Sequence, residues 1–136
     1  MDRLFLDANV LFSAAYKVDS RLLQLWKLKD VVLCSSRYAL EEARFNLQNE
    51  LQRRALRSLS GTLHLFEAAD RLLPRGLYLP DKDAPIFLAP VAARATHLLT
   101  GDVQHFGDYF GSRFEGVTIM LPAQYFRLRD RNLKRN

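Results

Sequence analysis

The sequence predicts an α/β fold in which a parallel sheet is covered by helices on both faces. Short apolar runs of strand length alternate with longer stretches of helical periodicity, without a linker or an internal repeat. Strands that alternate with helices favour parallel crossover connections, and the sheets they form are buried on both faces. The chain has 136 residues, of which 49% are hydrophobic, so it can bury the core of a single domain.

The first half of the chain is predicted to contain two strands, each followed by helices. Residues 3–6 form a short apolar strand, and Val10 lies at the beginning of the first helix. Ser20 can cap a second helix, because a serine side chain accepts a hydrogen bond from the first helical turn. Residues 31–34 are apolar and rich in β-branched side chains, which predicts a second buried strand.

A helical hairpin is predicted after the second strand. Ser35 or Ser36 caps its first helix. The polar stretch 48–58 continues as its second helix, and the Ser-Gly pair at 60–61 ends it. The apolar residues of the first helix recur at intervals of three and four, at Leu40, Ala43 and Leu47.

The second half of the chain begins with less regular sequence. Residues 62–66 are compatible with a short strand, and the stretch 69–82, which contains proline and glycine, is irregular. An apolar helix then begins at Asp83. It contains Pro90, which removes a backbone hydrogen bond and puts the straightness of the helix in question. The remaining predicted elements are strands at 97–100 and 117–121 and a short terminal helix that starts at Pro122.

Three aspartates lie at the ends of these elements. Asp7 directly follows the first strand, and Asp102 follows the strand at 97–100 through a Thr-Gly-Asp turn. In an open parallel sheet, ligands bind beyond the carboxyl ends of the strands, so Asp7 and Asp102 can face one crevice. Asp83 opens the helix before that strand. Acids gathered in this way suggest a site for a divalent metal ion.

The same segments carry a resemblance to a known family. The series LDAN, SSRYALEEARFNL, DKDAPIFLAPVAARATHLLTGDVQHFG and GVTIMLPAQYF resembles, in order and spacing, the PIN-domain family, which includes VapC-type toxins of toxin–antitoxin pairs. The resemblance covers residues 1–126 and leaves 127–136 as a basic C-terminal tail. It implies a three-layer α/β/α sandwich with a central parallel sheet of about five strands. It also implies metal-dependent cleavage of RNA by a cluster of acids.

The resemblance further implies which residues are catalytic and bind the metal. Asp7 matches the first acid of the family, and Asp102 matches the last. Asn9 matches a polar residue that supports the first acid, and Thr100 belongs to the Thr-x-Asp segment around the last. We therefore expect Asn9 and Thr100 to support the site from outside the metal ligands.

The second acid is ambiguous between Glu41 and Glu42. Family members place it before a small or aliphatic residue and then a charged one, which favours Glu42, followed by Ala43 and Arg44. The helical phase agrees, because Glu41 would project elsewhere if the apolar stripe through Leu40 faces the sheet.

The third acid is Asp83 rather than Asp81. Asp83 immediately precedes the helix and lies seventeen residues before Thr100, close to the spacing in the family. Asp81 belongs to the incoming loop. The four acids expected to act as catalytic residues and metal ligands are therefore Asp7, Glu42, Asp83 and Asp102.

Converging carboxylates require a cation. Two like charges about 4 Å apart repel by roughly 4 kcal/mol at an effective dielectric constant near 20. Mg²⁺ or Mn²⁺, which prefer oxygen ligands, would balance this charge. The sequence has no cluster of cysteine and histidine that would indicate a structural zinc site.

Basic residues indicate where RNA could bind. The net charge is +5, and the last ten residues hold five basic residues against one acid. Such a tail is compatible with phosphate contacts, although basic tails are also common as solvated chain ends. We expect RNA contacts from the tail and from the helix that carries Glu42, at Arg37, Arg44, Arg127, Arg129 and Arg131.

The histidines and the cysteine are predicted to have roles other than catalysis. His105 lies near the predicted site, where stabilising the loop or contacting substrate is favoured over catalysis. His64 and His97 lie in apolar, strand-like runs and are predicted to be structural. Cys34 is predicted to be a small buried hydrophobic residue.

Two other enzyme classes fit the sequence less well. A phosphatase related to haloacid dehalogenases needs a second aspartate where Asn9 stands. A response-regulator receiver needs a late lysine, and no lysine lies between Lys82 and Lys134. A PIN-like protein that acts mainly by binding RNA or protein stays open as an alternative.

No apolar run is long enough to span a membrane. We therefore expect a soluble, cytoplasmic protein. Its expected partners are RNA, a cognate antitoxin and a second copy of the chain in a homodimer.

Overall fold

The computed structural model describes residues 1–135, and this part of the chain forms one six-stranded sheet. The strand order is β3-β2-β1-β4-β6-β5, and every neighbouring pair is parallel except β5 and β6. The predicted parallel sheet is therefore confirmed, with one strand more than expected. The strands are β1 (Asp2–Leu6), β2 (Val31–Ser35), β3 (His64–Leu65), β4 (His97–Leu99), β5 (Arg113–Phe114) and β6 (Val117–Met120).

The additional strand, β5, forms a hairpin with β6 at one edge of the sheet. Glu115 and Gly116 connect the two strands, with φ angles of 52° and 81°. Positive φ at both central residues is typical of the type I′ turn, whose twist matches that of paired strands. A two-residue strand is too short to show a pattern in the sequence, so β5 was not predicted.

Serine side chains cap two of the segments that were expected to be helical. The Ser36 hydroxyl accepts a 3.1 Å hydrogen bond from the amide of Ala39, whereas the Ser35 hydroxyl donates to the carbonyl of Leu6. The segment after Ser20 is a 3-10 helix, Arg21–Lys27. The α-helices are α1 (Ala8–Tyr16), α2 (Arg37–Asn46), α3 (Glu50–Ser60), α4 (Ala84–Ala92), α5 (Val103–Phe106) and α6 (Pro122–Arg135).

The sheet separates two hydrophobic cores. Along β1, Leu4 and Leu6 pack into a cluster with side chains from α1, α2, α3 and α6. Phe5, which points to the opposite face, packs into a second cluster with residues of α4 and α5. Because successive strand residues point to opposite faces, a buried strand supplies both layers. This arrangement is the three-layer sandwich that the sequence predicted.

Two features differ from the sequence predictions in extent. Pro90 lies in the last turn of α4, which ends at Ala92, so the proline comes near the end of the helix rather than at its middle. The terminal helix α6 runs from Pro122 to Arg135 and is longer than the short helix expected after Pro122. Residues 127–135 are therefore helical and continuous with the segment that packs on the sheet.

None of the helices in residues 1–135 has the length and apolar character needed to cross a lipid bilayer.

Candidate active site

The candidate site lies at the carboxyl ends of β1 and β4. These two strands are neighbours, with Leu6 paired to Leu99, although eight helices and strands separate them in sequence. From β1, the strands β2 and β3 extend the sheet in one direction, and β4 and β6 extend it in the other. A crevice forms where the strand order reverses in this way, and ligands bind there in open α/β sheets.

Asp7 is fixed at this point by its neighbours. Its backbone amide donates a 3.1 Å hydrogen bond to the carbonyl of Leu99, so the strand pairing continues to the acid itself. One carboxylate oxygen, Oδ1, accepts from the amide of Ala8 at 2.7 Å. The other, Oδ2, accepts from the Thr100 hydroxyl at 2.8 Å and from Asn9 Nδ2 at 3.2 Å. Thr100 is fully buried, and Asp7 is 2% exposed.

Asn9 connects this carboxylate to the turn after β4. Its Oδ1 accepts a 2.7 Å hydrogen bond from the amide of Gly101. A Cβ atom at position 101 would lie only 3.2 Å from that oxygen, so glycine permits the close approach. Asn9 and Thr100 thus both donate hydrogen bonds to Asp7, and their role in supporting a metal site stays a prediction.

Burial changes the titration of Asp7. Removal from water raises its pKa from 3.8 to about 6, while the hydrogen bonds from Thr100 and Ala8 oppose the shift. The nearby charges of Glu42 and Asp102 raise the pKa further. Desolvation and like charges both disfavour the ionised form of a carboxyl group. The site therefore holds a carboxylate whose ionisation would be favoured by an added cation.

Asp102 is the N-cap residue of the single-turn helix α5. Its Oδ1 accepts a 3.1 Å hydrogen bond from the amide of His105. Its Oδ2 lies 2.8 Å from Nδ1 of the same histidine. That nitrogen also lies 3.3 Å from Oδ2 of Asp83. His105 is therefore in contact with two of the four predicted acids, Asp83 and Asp102.

Asp83 has an oxygen without a hydrogen-bond partner. The residue is 6% exposed, and its Oδ2 is buried and accepts no hydrogen bond from residues 1–135. The 3.3 Å contact with His105 is an ion pair only if the imidazole is protonated. A proton on Nδ1 can form a well-aligned hydrogen bond to only one acceptor, and the carboxylate of Asp102 is the nearer one. A buried carboxylate oxygen with no donor is costly, and no described residue offsets that cost with a hydrogen bond to Oδ2 of Asp83.

The predicted acids line one cleft of about 510 Å³. Its other polar walls include Asn9, Lys82 and His105. Glu41 instead points away and pairs with Arg44 at 3.0 Å. Asp81 is exposed at the start of the short 3-10 helix before α4. The four acids brought together at this cleft are Asp7, Glu42, Asp83 and Asp102.

Sequence reasoning missed Lys82 at this cleft. Lys82 immediately precedes Asp83, and its position beside the motif was the only available signal. The exposed lysine adds positive charge beside the acids.

The arginines predicted to contact RNA fall into two groups. Arg37 and Arg44 are exposed on α2 and line a shallow groove with Tyr38 and Phe45. The others lie on α6. Of these, Arg129 already donates a 2.7 Å hydrogen bond to Asp30 and packs over the ring of Tyr125, whereas Arg127 and Arg131 are exposed.

The remaining histidines and the cysteine lie away from the cleft lining. His97 is half-buried on β4, where its ring packs against Tyr125 and burial lowers its pKa. His64 is exposed on the short strand β3. Cys34 is fully buried in the second core cluster, as predicted, and burial raises the pKa of its thiol.

A family model described as PIN domain matches residues 3–104, about three quarters of the chain. The chain belongs to the PIN-domain family. PIN domains are generally nucleases that act on RNA and typically use divalent metal ions. Searches of curated proteins and of solved structures gave no significant match. The match includes Asp7, Glu42, Asp83 and Asp102, so all four acids of the cleft lie inside the matched residues.

The residues of the cleft fit such an ion. Carboxylate oxygens are the ligands that Mg²⁺ and Mn²⁺ prefer, and four carboxylates line the cleft. The buried oxygen of Asp83 that accepts no hydrogen bond is available as a ligand. One oxygen or nitrogen each from Asp83, Asp102 and His105 lie within 4.8 Å of one another, close enough to contact a single ion.

Proposed function

We propose that this PIN domain is a Mg²⁺- or Mn²⁺-dependent endoribonuclease that hydrolyses phosphodiester bonds of RNA. The observation that carries the proposal is the buried Oδ2 of Asp83, which has no hydrogen-bond partner in residues 1–135 and lies 3.3 Å from the histidine nitrogen that contacts Asp102. A protein gains nothing in stability from such an arrangement unless a cation completes it. The arrangement is instead typical of a site that binds one.

The ligands in this proposal are Asp7, Glu42, Asp83 and Asp102. When bound, the ion would supply positive charge to the phosphoryl oxygens and favour deprotonation of the attacking water. The protein contributes mainly by positioning. Thr100 and the amide of Ala8 hold the carboxylate of Asp7 in one orientation, and the amide of His105 holds that of Asp102.

Substrate binding is assigned to the outer face of α2. Tyr38 is 50% exposed and Phe45 is 88% exposed, and both line the shallow groove that also contains Arg37 and Arg44. Glu42 lines both this groove and the acidic cleft, so the two are continuous. Exposed aromatic side chains can stack on unpaired bases, and arginines can bind the adjacent phosphates. Unpaired RNA would therefore cross α2 and place one phosphate in the cleft.

The proposal is tested by cleavage of an end-labelled, unstructured RNA by purified wild-type protein. We expect endonucleolytic products with Mg²⁺ or Mn²⁺ and none with a chelator. Asp102→Asn should remove cleavage and retain the circular dichroism spectrum of the wild type. If wild-type protein binds RNA but cleaves none under any divalent ion, the alternative of an RNA-binding module without activity is correct.

The role in the cell is a separate part of the proposal. The similarity to VapC-type toxins supports a toxin of a toxin–antitoxin pair, located in the cytoplasm and active as a homodimer. A small reading frame immediately upstream, whose product relieves growth arrest caused by this chain, would support it. Growth unaffected by expression of the active nuclease would instead indicate a housekeeping enzyme.

A further inference from the structure

We propose that His105 is a nitrogen ligand of the ion bound by the acids, and that it makes the site prefer Mn²⁺ to Mg²⁺. The inference rests on the proposed function, since it concerns the same cleft. It adds a residue and an ion preference that the four acids alone do not give.

The spacing of the donor atoms supports a shared ion. His105 Nδ1 lies 2.8 Å from Asp102 Oδ2 and 3.3 Å from Asp83 Oδ2. Neighbouring ligands of an octahedral ion with bonds of about 2.1 Å are about 3 Å apart. The nitrogen therefore already lies at about the separation of an adjacent ligand from each of the two oxygens, and one donor atom from each of the three residues lies within 4.8 Å of the others.

The buried oxygen of Asp83 provides an independent indication. Its side chain is 9% exposed, and Oδ2 accepts no hydrogen bond from the described residues. This oxygen is directed towards the nitrogen of His105, which is engaged with Asp102. An ion between the three side chains would provide the positive partner that Asp83 lacks.

The local backbone fixes His105 in this position. Asp102 caps α5 by accepting from the amide of His105, three residues later. The next residue, Phe106, is fully buried in the second core cluster and anchors the turn. His105 Nδ1 is therefore held beside the carboxylate by the fold and not by a flexible side chain alone. Ligation uses the tautomer with its proton on Nε2, so that the Nδ1 lone pair faces the ion.

The chemistry of the nitrogen determines the preference. Mg²⁺ strongly favours oxygen ligands and keeps its water, whereas imidazole suits transition metals better. Loss of His105 should therefore weaken Mn²⁺ binding far more than Mg²⁺ binding. A histidine that only orients Asp102 would affect both ions alike.

The deciding measurement is pulsed electron paramagnetic resonance of Mn²⁺ bound to the full chain. We expect echo modulation from a directly coordinated nitrogen in the wild type and in the control His64→Gln, whose histidine is exposed on β3. His105→Gln should lack this modulation. Titration calorimetry should show Mn²⁺ affinity reduced at least about tenfold in His105→Gln, with Mg²⁺ affinity nearly unchanged.

Absence of the nitrogen modulation from the wild type would overturn the inference, and this outcome does not depend on whether a variant folds. Persistence of the modulation in His105→Gln would overturn it as well. Asp83→Asn separates the two proposals. If that variant loses affinity for both ions while the wild type shows no nitrogen ligand, only the role of His105 is wrong. If the wild type binds neither ion, the proposed metal-dependent function fails.

Discussion

The hydroxyl of Thr100 donates a 2.8 Å hydrogen bond to Oδ2 of Asp7 across the ends of two neighbouring strands. The same oxygen of Thr100 accepts from the amide of Asp102 at 3.1 Å. One buried side chain thus positions the first and the last acid of the cleft. Because the bond to Asp7 is buried, its loss leaves a polar group that water cannot readily satisfy.

The first prediction concerns this hydroxyl. Thr100→Val, which keeps the shape but removes the hydroxyl, should destabilise the protein by about 1–3 kcal/mol. It should also lower kcat, because Asp7 and Asp102 lose a common support. Thr100→Ser restores the hydroxyl and should recover much of both. Urea denaturation and cleavage rates measure the two effects, and equal activity in the valine and serine variants would contradict a positioning role.

The second prediction follows from the raised pKa of Asp7, at about 6. In the metal-free protein, folded Asp7 keeps its proton to a higher pH than unfolded Asp7, so stability falls as the pH rises from about 4 to about 6. Asp7→Asn removes this loss. The variant should be inactive, yet at about pH 7.5 it should gain up to about 3 kcal/mol in free energy of unfolding over the wild type.

Denaturation in the presence of a chelator checks this sign. The advantage of Asp7→Asn should shrink at about pH 4, where the wild-type carboxyl is protonated. A stability difference that does not change with pH would show that ionisation of Asp7 is not its cause.

The third prediction uses matched pairs of acids. Glu42→Gln and Asp83→Asn should each reduce cleavage by at least about a hundredfold, since both side chains line the cleft. Glu41→Gln and Asp81→Asn each remove one negative charge by the same type of substitution at a neighbouring position, and they should retain near wild-type rates. Glu41 only loses an exposed ion pair with Arg44. Inactivity of the Glu41 variant would reverse the assignment of the second acid.

The convergence of the four acids that the sequence singled out has a physical basis. Asp7 and Asp102 follow apolar strands, and neighbouring parallel strands bring their carboxyl ends together. The stripe of Leu40, Ala43 and Leu47 set the helical phase of α2, and Ala43 and Leu47 are indeed buried. Glu42 consequently faces the cleft. Periodicity and strand ends are local properties, so they can be read from the chain.

Other features of the fold and the site depend on contacts between residues distant in sequence, or on elements too short to show a hydrophobic period. The bond from His105 to Asp102 requires the four-residue helix α5, which has no apolar repeat. The sequence of α6 after Phe126 contains few apolar residues, so its pattern does not predict a long helix. Arg129 connects this helix to Asp30, which lies 99 positions earlier in the sequence. Neither contact could be inferred from local patterns.

The fourth prediction tests the aromatic face of α2. Tyr38→Ala and Phe45→Ala should weaken binding of unstructured RNA by about 1–3 kcal/mol each, as expected for lost stacking on a base. KM should rise while kcat changes little. Leu72→Ala, which truncates another highly exposed apolar residue, is the control. Fluorescence anisotropy measures the affinity, and an effect no larger than that of Leu72→Ala would exclude this face as the RNA path.

The fifth prediction separates two roles for the arginines of α6. Arg129→Gln should lower stability by about 1 kcal/mol or less, since its partner Asp30 is largely exposed, and should leave the salt dependence of RNA binding unchanged. Arg127→Gln combined with Arg131→Gln should leave stability unchanged. If these exposed arginines bind phosphates, the slope of log affinity against log salt becomes shallower by about 0.7 per contact. An unchanged slope in the double variant would leave Arg37 and Arg44, beside Glu42, as the arginines that bind the RNA backbone.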